Sequence, residues 1–125
     1  LLGTFQKVNE KYFGGSVDAL VTWGKRTKPN GARRTIKLGS YSAPERVIRV
    51  HSVLDKPWVP RYFVSYILYH EMLHIKHPAR LINGRRYYHT SAFRLDERRF
   101  PHYEQAQKWL EQLARQRRVP RARAA

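Results

Sequence analysis

The chain has 125 residues, 42% of them hydrophobic and 13% aromatic, which excludes a wholly disordered polymer and fits one modest core. It contains no cysteine, so disulfides, thiolate zinc sites and thiol nucleophiles are excluded together, and a cytoplasmic protein is the expectation. Its 25 Lys and Arg against 9 Asp and Glu give a formal net charge of +16, a field that gathers polyanions such as DNA without selecting among them.

No run approaches the roughly 18 uninterrupted apolar residues of a membrane span, so no membrane partner is expected. The opening LLGTFQKVNEKYF also lacks the basic-then-apolar layout of a signal peptide. Within residues 1–13, Leu2, Phe5, Val8 and Tyr12 recur at helical spacing, and Gly14-Gly15 stops the pattern. ALVTWG, 19–24, reads as a short strand, and KRTKPNGARR, 25–34, as a turn around Pro29, Asn30 and Gly31. RTIKLGSYS, 34–42, and RVIRVHS, 46–52, alternate as half-buried strands should. Three strands with short connections predict an antiparallel sheet.

A helix starts between Pro57 and Pro60 and runs to Pro78, apolar on most of its circumference and therefore central. A loop over 78–88 carries Asn83-Gly84. Thr90 opens another helical pattern and Pro101 interrupts it. HYEQAQKWLEQLARQ then resumes with Tyr103, Ala106, Trp109, Leu110 and Leu113 on one face. The expectation is a single α+β domain over 1–113, followed by a basic, poorly ordered tail over 114–125.

The chemistry concentrates in YHEMLHIKH, 69–77, where His70, Glu71 and His74 spell H-E-x-x-H. On a helix, residues four apart lie about 40° apart around the axis and about 6 Å along it, so both imidazoles can reach one ion. Glu71 is rotated about 100° from His70 and flanks the ion instead of binding it. From there it can take a proton from a metal-activated water and pass it to a leaving amine. The bland reading is a chance match on a solvated helix edge. The apolar surroundings oppose it, because burying three polar side chains without partners is costly. Zn²⁺ is the usual ion for such a motif, although imidazole also suits other divalent metals.

Four residues compete for the third protein ligand. His77 is nearest, but its Cα lies about 10 Å along the axis from His70, and Pro78 turns it out of helical geometry. His89 is better placed, since it follows a loop long enough to turn back and opens the next helical segment. Glu97 and His102 remain. Three protein ligands would leave one position for solvent, as in catalytic zinc sites. Tyr87, Tyr88, Arg94 and His102 are the nearby oxyanion donors, and nothing in the sequence selects among them.

Together these stretches resemble the SprT-like family of zinc metalloproteases. VNEKYFGG is similar to its N-terminal helix, LVTWGKR to its first strand, RVIRVHSVLD to the strand before the active helix, YHEMLHIKH to that helix, and YHTSAF to a downstream His-x-x-x-Phe. The resemblance covers about residues 2–110 and implies a small zincin-like fold. It further implies zinc held by His70, His74 and His89, with Glu71 as the acid/base of an endopeptidase. In some members the implied substrates are proteins crosslinked to DNA. Thr90 stands where many members have glycine, and the cysteine-bearing zinc ribbon of many members has no counterpart here. HIKHP also resembles a related group of small metal-dependent hydrolases.

The alternative is a nucleic-acid-binding module in which zinc only braces two helices, with Arg85-Arg86, Arg98-Arg99 and Arg117-Arg118 as contacts. In that module Glu71 would be superfluous, and a structural site usually takes four protein ligands.

Overall fold

The computed structural model describes residues 1–24, 35–116 and 121–125. The expected turn over 25–34 and the Arg117-Arg118 pair lie outside the described residues. The architecture is α+β: an N-terminal helix, a mixed sheet, a central helix carrying His70, Glu71 and His74, and C-terminal helices.

Helix α1, Leu2–Phe13, buries Phe5 and Val8 and ends where Gly14 takes the left-handed conformation. Asn9 then ties the chain down. Its side-chain amide donates to the Val17 carbonyl at 2.9 Å, and its Oδ1 accepts from the Val17 N–H at 3.0 Å. That pair of bonds fixes the path from α1 into β1, Leu20–Gly24.

The sheet continues with β2, Thr35–Ser42, and β3, Val47–His51. Its order corrects the antiparallel expectation. β3 sits between β1 and β2, antiparallel to β2 but parallel to β1, with Leu20 opposite Val47 and Trp23 opposite Val50. The physical reason lies in the connections. β2 and β3 are joined by a tight turn over 43–46, which holds them side by side as an antiparallel pair and leaves the other edge of β3 to β1. β3 is consequently paired on both sides, and Ile48 and Val50 are fully buried.

A fourth strand, β6, Arg121–Ala124, pairs parallel to the outer edge of β2. The basic tail expected to be poorly ordered thus contributes a strand, and its first residues belong to α4, Tyr103–Gln116. The loop after the central helix also holds structure: β4, Arg80–Ile82, and β5, Arg85–Tyr87, form a hairpin. Asn83 and Gly84 turn it with φ of 51° and 78°, the left-handed pair that a two-residue hairpin turn demands.

The central helix α2, Arg61–Lys76, packs against β2 and β3 on one side and against α1, α3 (Ser91–Arg98) and α4 elsewhere. Every residue from Tyr66 to Leu73 is buried, which accounts for its all-round apolar composition. Pro60 opens it, and His77 leaves helical geometry with φ −119°, as the following Pro78 requires. No described helix is long and apolar enough to cross a membrane.

Candidate metal centre

The helix α2 holds His70 and His74 one turn apart, as its geometry dictates. His89 arrives from the far end of the β4–β5 hairpin, immediately before Thr90 caps α3 by accepting from the Phe93 N–H at 3.2 Å. The three imidazoles form a near-equilateral triangle: ring centres lie 5.2 Å apart for His70–His74, 5.1 Å for His70–His89 and 5.0 Å for His74–His89. One potential ligand nitrogen from each lies within 4.8 Å of the others, a group able to hold a metal ion. Phe93, fully buried, packs against all three rings at 5.0, 4.7 and 5.0 Å and forms the floor of the cluster.

The donor atoms fit a metal. His70 Nε2, His89 Nε2 and both Glu71 carboxylate oxygens are buried with no hydrogen-bond partner, an expensive arrangement unless a cation answers it. The tautomer of His70 is set from behind, because its Nδ1 hydrogen-bonds the Glu97 carboxylate and leaves Nε2 facing the cluster. A carboxylate behind a ligating imidazole is the usual orienting partner in metal sites. Burial, and next the neighbouring His70, lower the His74 pKa to about 4. The same two causes, burial first, lower that of His89. Both rings are therefore neutral at pH 7, the form that ligates.

Glu71 is fully buried, with Oε1 3.9 Å from His74 Nε2. Burial pushes its carboxyl up to about 7, against the lowering influence of His70 and with Glu97 adding to the rise. A carboxyl that titrates near neutrality can both accept and return a proton.

The remaining sequence candidates lie elsewhere. His77 Nε2 bonds Asp96 Oδ2 at 2.6 Å, outside the cluster. Glu97 is behind His70, and His102 stacks on Tyr62 at 5.4 Å. All four suggested oxyanion donors are exposed, and of them Tyr88 brings its ring to 6.4 Å from that of His74.

Three features of the site escape a reading of spacing alone. Gly39 lies where β2 crosses α2: a Cβ there would meet Ile67 Cγ2 at 2.7 Å and Glu71 Oε2 at 2.8 Å. An isolated glycine inside an alternating strand is the signal that could have marked this close approach. Asp96 is the second. Buried, it accepts from His77, from Lys76 Nζ at 2.9 Å and from Arg99 at 3.2 Å, and so ties the end of α2 to α3. The third is the Ala125 backbone oxygen, which accepts from His74 Nε2 at 2.8 Å and has no sequence signal at all.

The structure is thus a small α+β domain whose central helix and following loop assemble a cluster of the kind that zincin-type metallopeptidases carry. Compared with protein-family models and with curated proteins, the chain matches none.

Proposed function

We propose that this chain is a zinc-dependent endopeptidase of the SprT-like type. His70, His74 and His89 are the zinc ligands in this reading, and Glu71 is the general base and acid. The observation that carries it is the triangle of imidazoles with a fully buried, unpartnered carboxylate beside it. Zinc held there would supply Lewis acidity, polarising a carbonyl oxygen and acidifying water.

The chain's own groups do the rest. Glu71, buried beside the imidazole cluster, removes a proton from the attacking water and delivers it to the departing amine. Glu97 holds His70 in the tautomer that points Nε2 at the cluster, and Phe93 keeps the three rings at their mutual angles. A purely structural site would leave the cost of burying Glu71 without a purpose. Substrates held on DNA are part of the proposal. Its support is the +16 charge and the exposed β4–β5 hairpin with Arg80, Arg85, Arg86, Tyr87 and Tyr88, a mixture of cations and aromatic faces suited to single strands.

The test is cleavage of an unfolded protein by the zinc-loaded chain, with and without single-stranded DNA, beside the Glu71→Gln variant. The variant retains zinc at full stoichiometry and loses roughly a hundred- to ten-thousandfold in rate. Equal rates in the two proteins sink the mechanism. Salt-sensitive DNA binding with no cleavage in any condition leaves the nucleic-acid module instead.

A further inference from the structure

β6 does two separable things. It pairs with the outer edge of β2, matching Thr35 with Arg121 and Gly39 with Ala124, across a bulge between Lys37 and Gly39. Beyond the strand the chain continues inward. The Ala125 N–H donates to the Gly39 carbonyl at 3.0 Å, and the Ala125 backbone oxygen lies 2.8 Å from His74 Nε2. Covering a bare strand edge is a sufficient reason for the first. It gives no reason for the second, which places a backbone oxygen beside the imidazole cluster and next to the strand that touches Glu71.

We propose that the outer edge of β2 and the imidazole cluster form one cleft for an extended peptide, and that residues 121–125 occupy this cleft in cis as a pseudosubstrate. The inference rests on the metallopeptidase reading above and adds an occupant for the cleft beside that same site. The segment runs parallel to β2, makes backbone hydrogen bonds to it, and brings the Ala125 backbone oxygen to the cluster. Ala124, whose side chain is buried in the core, marks a position that takes a small residue, whereas Arg123 is exposed and marks a tolerant one. The segment 121–125 therefore competes with any peptide arriving from solution.

A tethered competitor acts at a local concentration on the order of millimolar, so releasing it tightens binding of a free peptide by roughly tenfold or more. The first measurement uses the unaltered chain. Co²⁺ is added to isotope-labelled protein, and paramagnetic shifts are read at Ala125 and at the rings of His70, His74 and His89. Ala125 moves or broadens together with the rings if it sits in the cleft. Rings that respond while Ala125 does not overturn the proposal and leave the metal centre standing. Rings that do not respond remove the metallopeptidase reading, and the proposal falls with it.

The second measurement titrates fluorescein-labelled Arg-Ala-Arg-Ala-Ala into zinc-loaded Glu71→Gln protein by anisotropy, with the segment intact, with residues 121–125 deleted, or with Ala124→Arg. The expected result is at least tenfold tighter binding in whichever released variant keeps the helical content of the intact chain. Equal affinity for intact and released chains overturns the proposal.

Discussion

At the scale of single residues, the cluster depends on groups that stand behind and beneath its three rings. Glu97 is the clearest. Its carboxylate fixes the His70 ring from the Nδ1 side, and orienting partners of this kind typically carry about ten- to a hundredfold in metal affinity. Glu97→Gln is therefore expected to weaken zinc by that factor without unfolding the chain, as read by competition with a fluorescent chelator. Gly39 acts through space alone. Gly39→Ala would drive a methyl group to within 3 Å of both Ile67 and Glu71, at a cost of about 1–3 kcal/mol. Urea unfolding measures that loss. The catalytic rate should fall by more than the remaining stability explains, since the displaced atoms include the Glu71 carboxylate.

Among the elements, the join between α2 and α3 decides whether His89 meets the other two rings. Asp96 is the tie, holding His77, Lys76 and Arg99 from one carboxylate. Its burial works to raise the pKa, but the hydrogen bonds from His77 and Lys76 outweigh it and hold the carboxyl below the usual range. A depressed native pKa favours the ionised folded form. The stabilisation is therefore complete above the ordinary aspartate value of about 3.9 and is lost as pH falls through the lower native value. The metal-free chain should accordingly lose more urea resistance from about pH 4 downward than Asp96→Asn does, and parallel midpoints for the two proteins would refute the tie.

For the molecule as a whole, two large terms oppose one another at the surface and in the core. A net charge of +16 on 125 residues repels itself and disfavours compaction. On the proposed reading, zinc held by the folded state would work the other way, contributing about 4 kcal/mol when free zinc stands a thousandfold above its dissociation constant. Thermal unfolding is expected to rise by several degrees on adding zinc and to return on adding a chelator. His70→Ala should abolish that response, and an undiminished rise in the variant would show zinc acting elsewhere.

Much of this protein was legible in its residues because the relevant physics is local. Apolar periodicity announced α1, α2 and α4, and a 3.6-residue turn places His70 and His74 on one face wherever the helix lies. Asn83-Gly84 marked the loop that proved to be a hairpin, since few other pairs tolerate two positive φ angles. Other features hang on contacts between residues distant in the chain, which spacing does not encode. Which of His77, His89, Glu97 and His102 joins the pair depends on how α3 docks on α2 through Asp96 and Phe93. The parallel pairing of β1 with β3 joins strands distant in the chain, and Arg-Ala-Arg-Ala becomes a strand only because the edge of β2 offers it unpaired backbone groups. Composition and periodicity thus determined the helices, the paired imidazoles and the charge; only packing decided what stands around them, because backbone hydrogen bonding and burial are properties of neighbours in space.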